Sequence, residues 1–313
     1  MNDNAASHLH PLLPEDMRFF ERGWLSSNNL LLLGQKETVL IDSGYTTHSA
    51  QTRALIQRAL GTRPLDRLIN THLHSDHCGG NAVLQQTWPL LQTHVPPGLA
   101  TAVHAWDTVE LTYEPTGQTC PRFKADGVLQ PGTLVQLADR HWEIHAAPGH
   151  DPHSVILFEP HARVLLSADA LWEHGFGVVF PEIMGNSGFK EIGETLDLIE
   201  RLNANVVVPG HGRVFNDVSG ALARARERLA LFQKHPVKHA SHAAKVLLKF
   251  KLLELQRIPL RDFTRWAASS EYLRHLHAVH FPQEDFSRWI DRLLEDLASA
   301  KALRRSGEDL INS

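Results

Sequence analysis

Three imidazoles and a carboxylate fall within six residues, His72-Leu73-His74-Ser75-Asp76-His77, and these are the donor types that bind divalent cations. Side chains two apart in an extended chain share a face. His72 and His74 are therefore placed to hold one ion, while a turn beginning at Asp76 brings Asp76 and His77 round to a second. Gly79 and Gly80 follow and let the backbone turn tightly. Four more donors stand beside short apolar runs: Asp42 in Ile41-Asp42-Ser43-Gly44, His150 in Pro148-Gly149-His150, Asp169 in Ser167-Ala168-Asp169-Ala170, and His211 in Pro209-Gly210-His211-Gly212. One histidine says little in a chain with 21 of them, so the assignment rests on the ordered string and on the strand-then-turn context of the others. Imidazole and carboxylate donors suit Zn2+ first, with Fe and Mn as alternatives. Asp42 reads either as an acceptor orienting a ligand or as a turn carboxylate. Trp172, Phe176 and Phe180, after Asp169, read equally as pocket wall or core, and Cys78 as a small packing residue.

The elements that must position these donors alternate in type. Leu30–Leu33, Thr38–Ile41, Leu68–Thr71, Leu134–Leu137, Trp142–Ala146, Val155–Phe158, Val164–Ser167 and Val206–Val208 are short apolar runs of strand character. Helical spacing marks His48–Leu60 and Phe189–Leu202, and the candidate ligands fall at strand ends. Residues 106–123 have few periodic apolar positions and read as an inserted loop near the site. After Val218 the spacing is helical throughout, over Leu222–Phe232, Ala243–Leu255, Leu260–Ala268 and Phe286–Leu303, and residues 303–311 suggest a short β-wing. The expected organisation is a catalytic domain over residues 1–218 and a helical, winged-helix-like domain over residues 219–313.

Composition narrows the setting. Residues 1–218 hold 14 Lys and Arg against 24 Asp and Glu, and residues 219–313 hold 17 against 11. Bound cations would offset part of the first excess. No apolar run approaches the roughly 18 residues that span a bilayer. The polar stretch of residues 1–8 is unlike a secretory signal, and the only cysteines are Cys78 and Cys120. Cytoplasmic residence is the expectation. The tail histidines His235, His239, His242, His275, His277 and His280 read as surface residues.

Across roughly residues 20–215 the order of these motifs resembles the metallo-β-lactamase superfamily, its glyoxalase II branch more than its antibiotic-resistance branch. The resemblance implies an α/β fold, two facing sheets flanked by helices in an αββα sandwich. It implies that one ion takes His72, His74 and His150, that a second takes Asp76, His77 and His211, and that Asp169 bridges them. Two such ions about 4 Å apart would hold a hydroxide nucleophile at neutral pH, with Asp76 accepting or relaying a proton. The implied activity is hydrolysis of a small-molecule thioester, ester or lactone.

Two departures blur the branch. The glycine- and cysteine-rich segment and the basic glutathione-binding motif usual in glyoxalase II are absent, and Trp172 stands where acyl-homoserine lactonases commonly have tyrosine. The tail resembles, more weakly, that of β-lactamase-like endoribonucleases acting on single-stranded RNA, with Lys245, Lys249, Lys251, Arg304 and Arg305 as candidate phosphate contacts. A mononuclear iron sulfur dioxygenase is a third alternative, opposed by the complete His77 and His211 pair. Oligomeric state is not legible in the sequence.

Overall fold

Strands whose residues are apolar without interruption must be covered on both faces. Strand β2 (Asn29–Leu33) is of this kind, and its alternate residues enter different cores: Leu30 and Leu32 face one, Leu31 the other. The structure, a computed structural model, describes residues 9–313. Residues 1–8, read above as unlike an export signal, lie outside the described residues.

A six-stranded sheet runs β1 (Met17–Phe20), β2, β3 (Thr38–Ile41), β4 (Arg67–Ile69), β5 (Gln92–Val95) and β6 (Gly127–Val128). A five-stranded sheet has the order β11 (Val206–Pro209), β10 (Val164–Ala168), β9 (Val155–Glu159), β8 (Arg140–Ala146) and β7 (Leu134–Leu137). Between them lies one core, formed by Leu30, Leu32, Val39, Ile41 and Ile69 from the first sheet and Trp142, Ile144, Leu157, Leu166 and Val208 from the second. The opposite faces are covered by helices. Leu31, Leu40 and Leu68 pack on Ile56 and Leu60 of helix Ser49–Leu60, and Ile156, Leu165 and Val207 on Ile192, Leu196 and Ile199 of helix Phe189–Leu202. This is the αββα sandwich.

Strand direction gathers the candidate donors. β3 and β4 are parallel, so Asp42 and His72, each just past a strand end, emerge side by side. β8 and β10 both run antiparallel to β9, and β11 runs parallel to β10. The C-terminal ends of β8, β10 and β11 thus share an edge, and from it come His150, Asp169 and His211.

The C-terminal region is helical from Val218, with helices Val218–Lys234, Pro236–Leu255, Leu260–Ser269, Glu271–His280 and Phe286–Ser299. A small sheet ordered β12 (Arg257–Pro259), β14 (Asp309–Asn312) and β13 (Leu303–Ser306) completes it. The last helix is shorter than its spacing suggested. It ends at Ser299, Lys301 takes a left-handed φ of 59°, and Leu303 pairs with Asn312 in the hairpin. Helix Val218–Lys234 shares a core with the sandwich helix Phe189–Leu202, whereas the later helices surround Trp289, Phe263 and Leu248.

His239 corrects the surface reading of the tail histidines. It is buried in helix Pro236–Leu255, and its Nε2 accepts the Val179 N–H at 3.2 Å, tying the tail to the segment after Asp169. Burial first, then the positive charges of Arg228 and His280, lowers its pKa to about 4. An unfolded histidine titrates near 6.5, so between pH 6.5 and 4 the unfolded chain takes up a proton that the folded chain refuses. Its contribution to stability is complete above pH 6.5 and is lost as pH falls. Denaturant unfolding of wild type should lose about 2 kcal/mol more between pH 7 and pH 5 than unfolding of His239→Gln. Equal losses would show that His239 is not a source of acid sensitivity.

Candidate metal centre

Helix Ser75–Cys78 is a single turn beginning just after His74, and it rotates Asp76 and His77 away from the extended His72-Leu73-His74 face. The Cys78 N–H and the His77 N–H both bond back to the His74 carbonyl, which fixes that turn. Potential ligand atoms of His72, His74 and His150 lie within 4.8 Å of one another, as do those of Asp76, His77 and His211. A third such set joins His72, His77 and Asp169. Asp169 touches both of the first two: its Oδ2 is 3.4 Å from His150 Nε2 and 3.8 Å from His211 Nε2, and its Oδ1 is 3.5 Å from His77 Nε2. All seven sequence-predicted donors are therefore together. Gly210 belongs to this geometry, because a Cβ there would sit 2.2 Å from Asp169 Oδ1.

Hydrogen bonds on the far side of the rings fix which nitrogens are free. His150 Nδ1 lies 2.6 Å from the Val178 carbonyl, which can only accept, so that nitrogen carries the proton and Nε2 is left with a lone pair. His77 Nδ1 lies 2.7 Å from Asp42 Oδ2. Asp42 also accepts from the Thr71 N–H at 2.9 Å and the Thr71 hydroxyl at 2.8 Å. In this geometry Asp42 is an acceptor for Thr71 and for the His77 ring. His72 Nε2 and His77 Nε2 are buried with no hydrogen-bond partner. Such orphaned atoms, converging with two carboxylates, fit divalent cations.

Electrostatics agree with a cluster built for positive charge. Burial, then His77, His74 and His150, holds His72 well below its ordinary pKa, and burial, then His74, brings His150 to about 4. Both are neutral, as ligands must be. Burial alone would lower His77 too, but Asp42, Asp169 and Asp76 outweigh it and raise it well above the usual value. Burial alone would raise Asp169, yet His211, His77 and His150 hold it well below the carboxylate range. A proton on His77 occupies the position that a ligand lone pair needs, so a bound cation would displace it.

The cluster floors a cavity of about 710 Å3, within the range of small-molecule sites. Trp172 and Phe180 line it. Trp172 donates from Nε1 to Asp169 Oδ1 at 3.2 Å, and the Phe180 ring lies 4.9 Å from that of His74. Phe176 does not line it. It is fully buried among Leu171, Val179 and Phe232, the core alternative of the sequence reading. Cys78 is buried, with Sγ 3.1 Å from the Tyr113 hydroxyl. Residues 106–123 do reach the site, contributing Thr112, Thr116 and Gln118 and a short helix, Tyr113–Thr116.

Several lining residues escaped the sequence reading. Trp24 stacks on His211 at 5.4 Å from a loop with no periodicity to betray it. Phe250, Leu253 and His242 line the cavity from helix Pro236–Leu255, so His242, like His239, departs from the surface expectation. Arg228 had a readable signal. It falls on the inward stripe Ala221, Ala225, Phe232 of its helix, where an arginine needs a reason.

Known proteins bear on the whole. The sequence pattern described as the metallo-β-lactamase superfamily matches residues 22–211. The acyl-coenzyme A thioesterase MBLAC2 of Bos taurus is 26% identical over 220 residues, covering 63% of this chain and 77% of that protein. A hydroxyacylglutathione hydrolase of Legionella pneumophila (strain Paris) is 26% identical over 144 residues, 46% of each chain. Among solved structures, a metallo-β-lactamase family protein of Thermus thermophilus superposes with a TM-score of 0.55 at 19% identity, over 95% of this chain and 98% of that one, which shows shared fold alone. Among the described residues no helix is long and apolar enough to cross a membrane. Fold, donor order and sequence pattern agree: the chain belongs to the metallo-β-lactamase superfamily and is a metal-dependent hydrolase of that group.

Proposed function

We propose that this hydrolase cleaves a small-molecule thioester, with esters and lactones as the neighbouring chemistry, at a pair of divalent ions. The observation that supports it most is that five of the seven donors, His74, Asp76, His150, Asp169 and His211, floor a mainly apolar cavity of about 710 Å3 roofed by tail helices, with His72 and His77 buried behind them. His72, His74 and His150 would hold one ion, Asp76, His77 and His211 the other, and Asp169 would bridge. Bound ions supply a polarised substrate carbonyl and an acidified water. Asp76, whose carboxyl is held below its ordinary pKa against burial by His77 and His211, is unprotonated at neutral pH and can take the proton of the attacking water. Trp172 and Phe180 flank the donors and exclude bulk water. The likeness to a thioesterase and to a hydroxyacylglutathione hydrolase supports the thioester class. We place the protein in the cytoplasm, where its two free cysteines would stay reduced.

The ribonuclease alternative is weakened by pairing within the chain. Lys245 lies 3.3 Å from Asp296, Lys251 bonds Glu254 at 2.6 Å, and Lys249 bonds Asn312 Oδ1 at 2.5 Å. We read the tail as a winged-helix-like roof over a small-molecule site. Metal-loaded protein assayed against thioesters, lactones, phosphodiesters and single-stranded RNA should cleave thioesters fastest, with rates nearly independent of salt. Cleavage of RNA alone, falling steeply with salt and abolished by neutralising Lys245, Lys249, Arg304 and Arg305, would reverse the choice. Elemental analysis after saturation with Zn2+ should give two ions per chain. A ceiling of one would favour the mononuclear dioxygenase.

A further inference from the structure

Helix Val218–Lys234 has three arginines, and two of them are paired with acids. Arg224 lies 3.3 Å from Asp217, and Arg226 lies 2.9 Å from Asp197 and 2.8 Å from Glu200. Arg228 has no carboxylate partner among the described residues. Its Nη2 lies 2.7 Å from His242 Nε2, its Nη1 reaches the His174 carbonyl at 3.5 Å, and its guanidinium rests 5.6 Å from the Phe176 ring and 5.3 Å from the Phe232 ring. His242 cannot supply the missing charge. Burial, then Arg228, His239 and Lys245, lowers its pKa to about 3, so it is neutral and accepts from Arg228.

A half-buried guanidinium without a counter-ion is costly, and ring faces offset only part of that cost. The surroundings are nevertheless shaped around it. Gly175 has a φ of +126°, and a Cβ there would meet Arg228 Nη1 at 2.8 Å. Arg228 and His242 line the same cavity as His74, Asp76, His150 and Asp169. Arg213, exposed and without a partner among the described residues, lines it too. Among the described residues only two of the five N–H donors of Arg228 are used, and a planar fork of donors matches the oxygens of a phosphate or carboxylate.

We propose that Arg228, held by His242 and stacked on Phe176 and Phe232, binds an anionic oxygen group of the substrate, a phosphate or a carboxylate remote from the bond that is cleaved. This rests on the reading of the cavity as the substrate site of a hydrolase, and it narrows the substrate to an anionic thioester or ester. The anion replaces the missing counter-charge and orients the rest of the molecule across the donors.

The test uses metal-loaded wild type, Arg228→Met and Arg228→Lys, and acetyl thioesters of coenzyme A, glutathione and N-acetylcysteamine, which present phosphates, carboxylates and no anion. In wild type, kcat/KM should favour one anionic substrate over the neutral one. Arg228→Met should cut that ratio at least tenfold, mainly through KM, and Arg228→Lys should fall between, because an ammonium lacks the fork. Which anionic substrate loses most identifies the group. Calorimetric binding of adenosine 3′,5′-bisphosphate and of succinate to the same proteins reads the site without turnover. Thioester hydrolysis with an unchanged ratio and unchanged anion binding in Arg228→Met would overturn the anion site and leave the hydrolase reading standing. Anion binding lost in Arg228→Met, in a protein that cleaves no thioester, would do the reverse. Should Arg228→Met fail to fold, Arg228→Lys decides, and wild-type ratio and binding in that variant would overturn the proposal.

Discussion

On the proposed reading of a two-ion thioesterase, Asp169→Ala should reduce the bound divalent ions from two per chain to at most one and lower hydrolysis by on the order of a thousandfold, equivalent to about 4 kcal/mol of transition-state stabilisation. Among the described residues its carboxylate is the one that approaches His150 on one side and His77 and His211 on the other, at 3.4–3.8 Å. No neighbour can take over. Gly210 leaves no side chain to reach in, and Trp172 offers only a donor, its indole N–H. Without metal the same substitution should be far milder. It removes a buried carboxylate from among histidines, and His77 keeps its bond to Asp42. Melting curves with and without Zn2+ separate these effects. Wild type should gain stability on metal addition by mass action, and Asp169→Ala should gain little. A variant that retains two tightly held ions and full turnover would rule out the bridging role.

Much of this arrangement was legible because it is local. The helix Phe189–Leu202 has Phe189, Ile192, Leu196 and Ile199 at helical spacing, and its sequence bounds and structural bounds coincide. The strands that lead to Asp169 and His211 are short, β-branched and aliphatic runs bounded by turn residues, and the strand before His72 shows only Leu68 and Ile69 of that pattern. What the sequence hid is non-local. Strand Met17–Phe20 is four residues at a sheet edge, too short for a period to show. Helix Glu271–His280 buries only Tyr272, Leu273 and Leu276 among histidines and charges, so its pattern is faint. Phe176 and Phe180 are alike in sequence, but Phe176 packs on Phe232 of helix Val218–Lys234 while Phe180, at the start of helix Phe180–Ile183, lines the cavity, a matter of packing between distant elements. Arg228 differs: its place on the stripe of Ala221, Ala225 and Phe232 sets it apart from Arg224 and Arg226, but the lack of a carboxylate beside it is visible only in the fold.

Asp42 gives the second large effect, and its two substitutions should fail in different ways. Asp42→Ala leaves the Thr71 N–H, the Thr71 hydroxyl and His77 Nδ1 without their buried partner, which should cost about 3–5 kcal/mol in folding stability. Asp42→Asn keeps the shape, and asparagine tolerates the left-handed φ of 55° at this position. Its amide, however, has one acceptor oxygen where two are used. With that oxygen facing the Thr71 N–H, its NH2 group faces His77 Nδ1, which must then accept. The ring proton moves to Nε2, the atom that the cluster needs free. Asp42→Asn should therefore fold with a loss of about 1 kcal/mol yet bind its weaker ion 10- to 100-fold less tightly, with turnover falling in step. Competition with a chromogenic chelator measures the affinity, and denaturant titration of the metal-free protein measures the stability. Wild-type affinity in Asp42→Asn would show that the His77 tautomer is not set by Asp42, and equal stability losses in the two variants would show that Asp42 acts only as a structural turn.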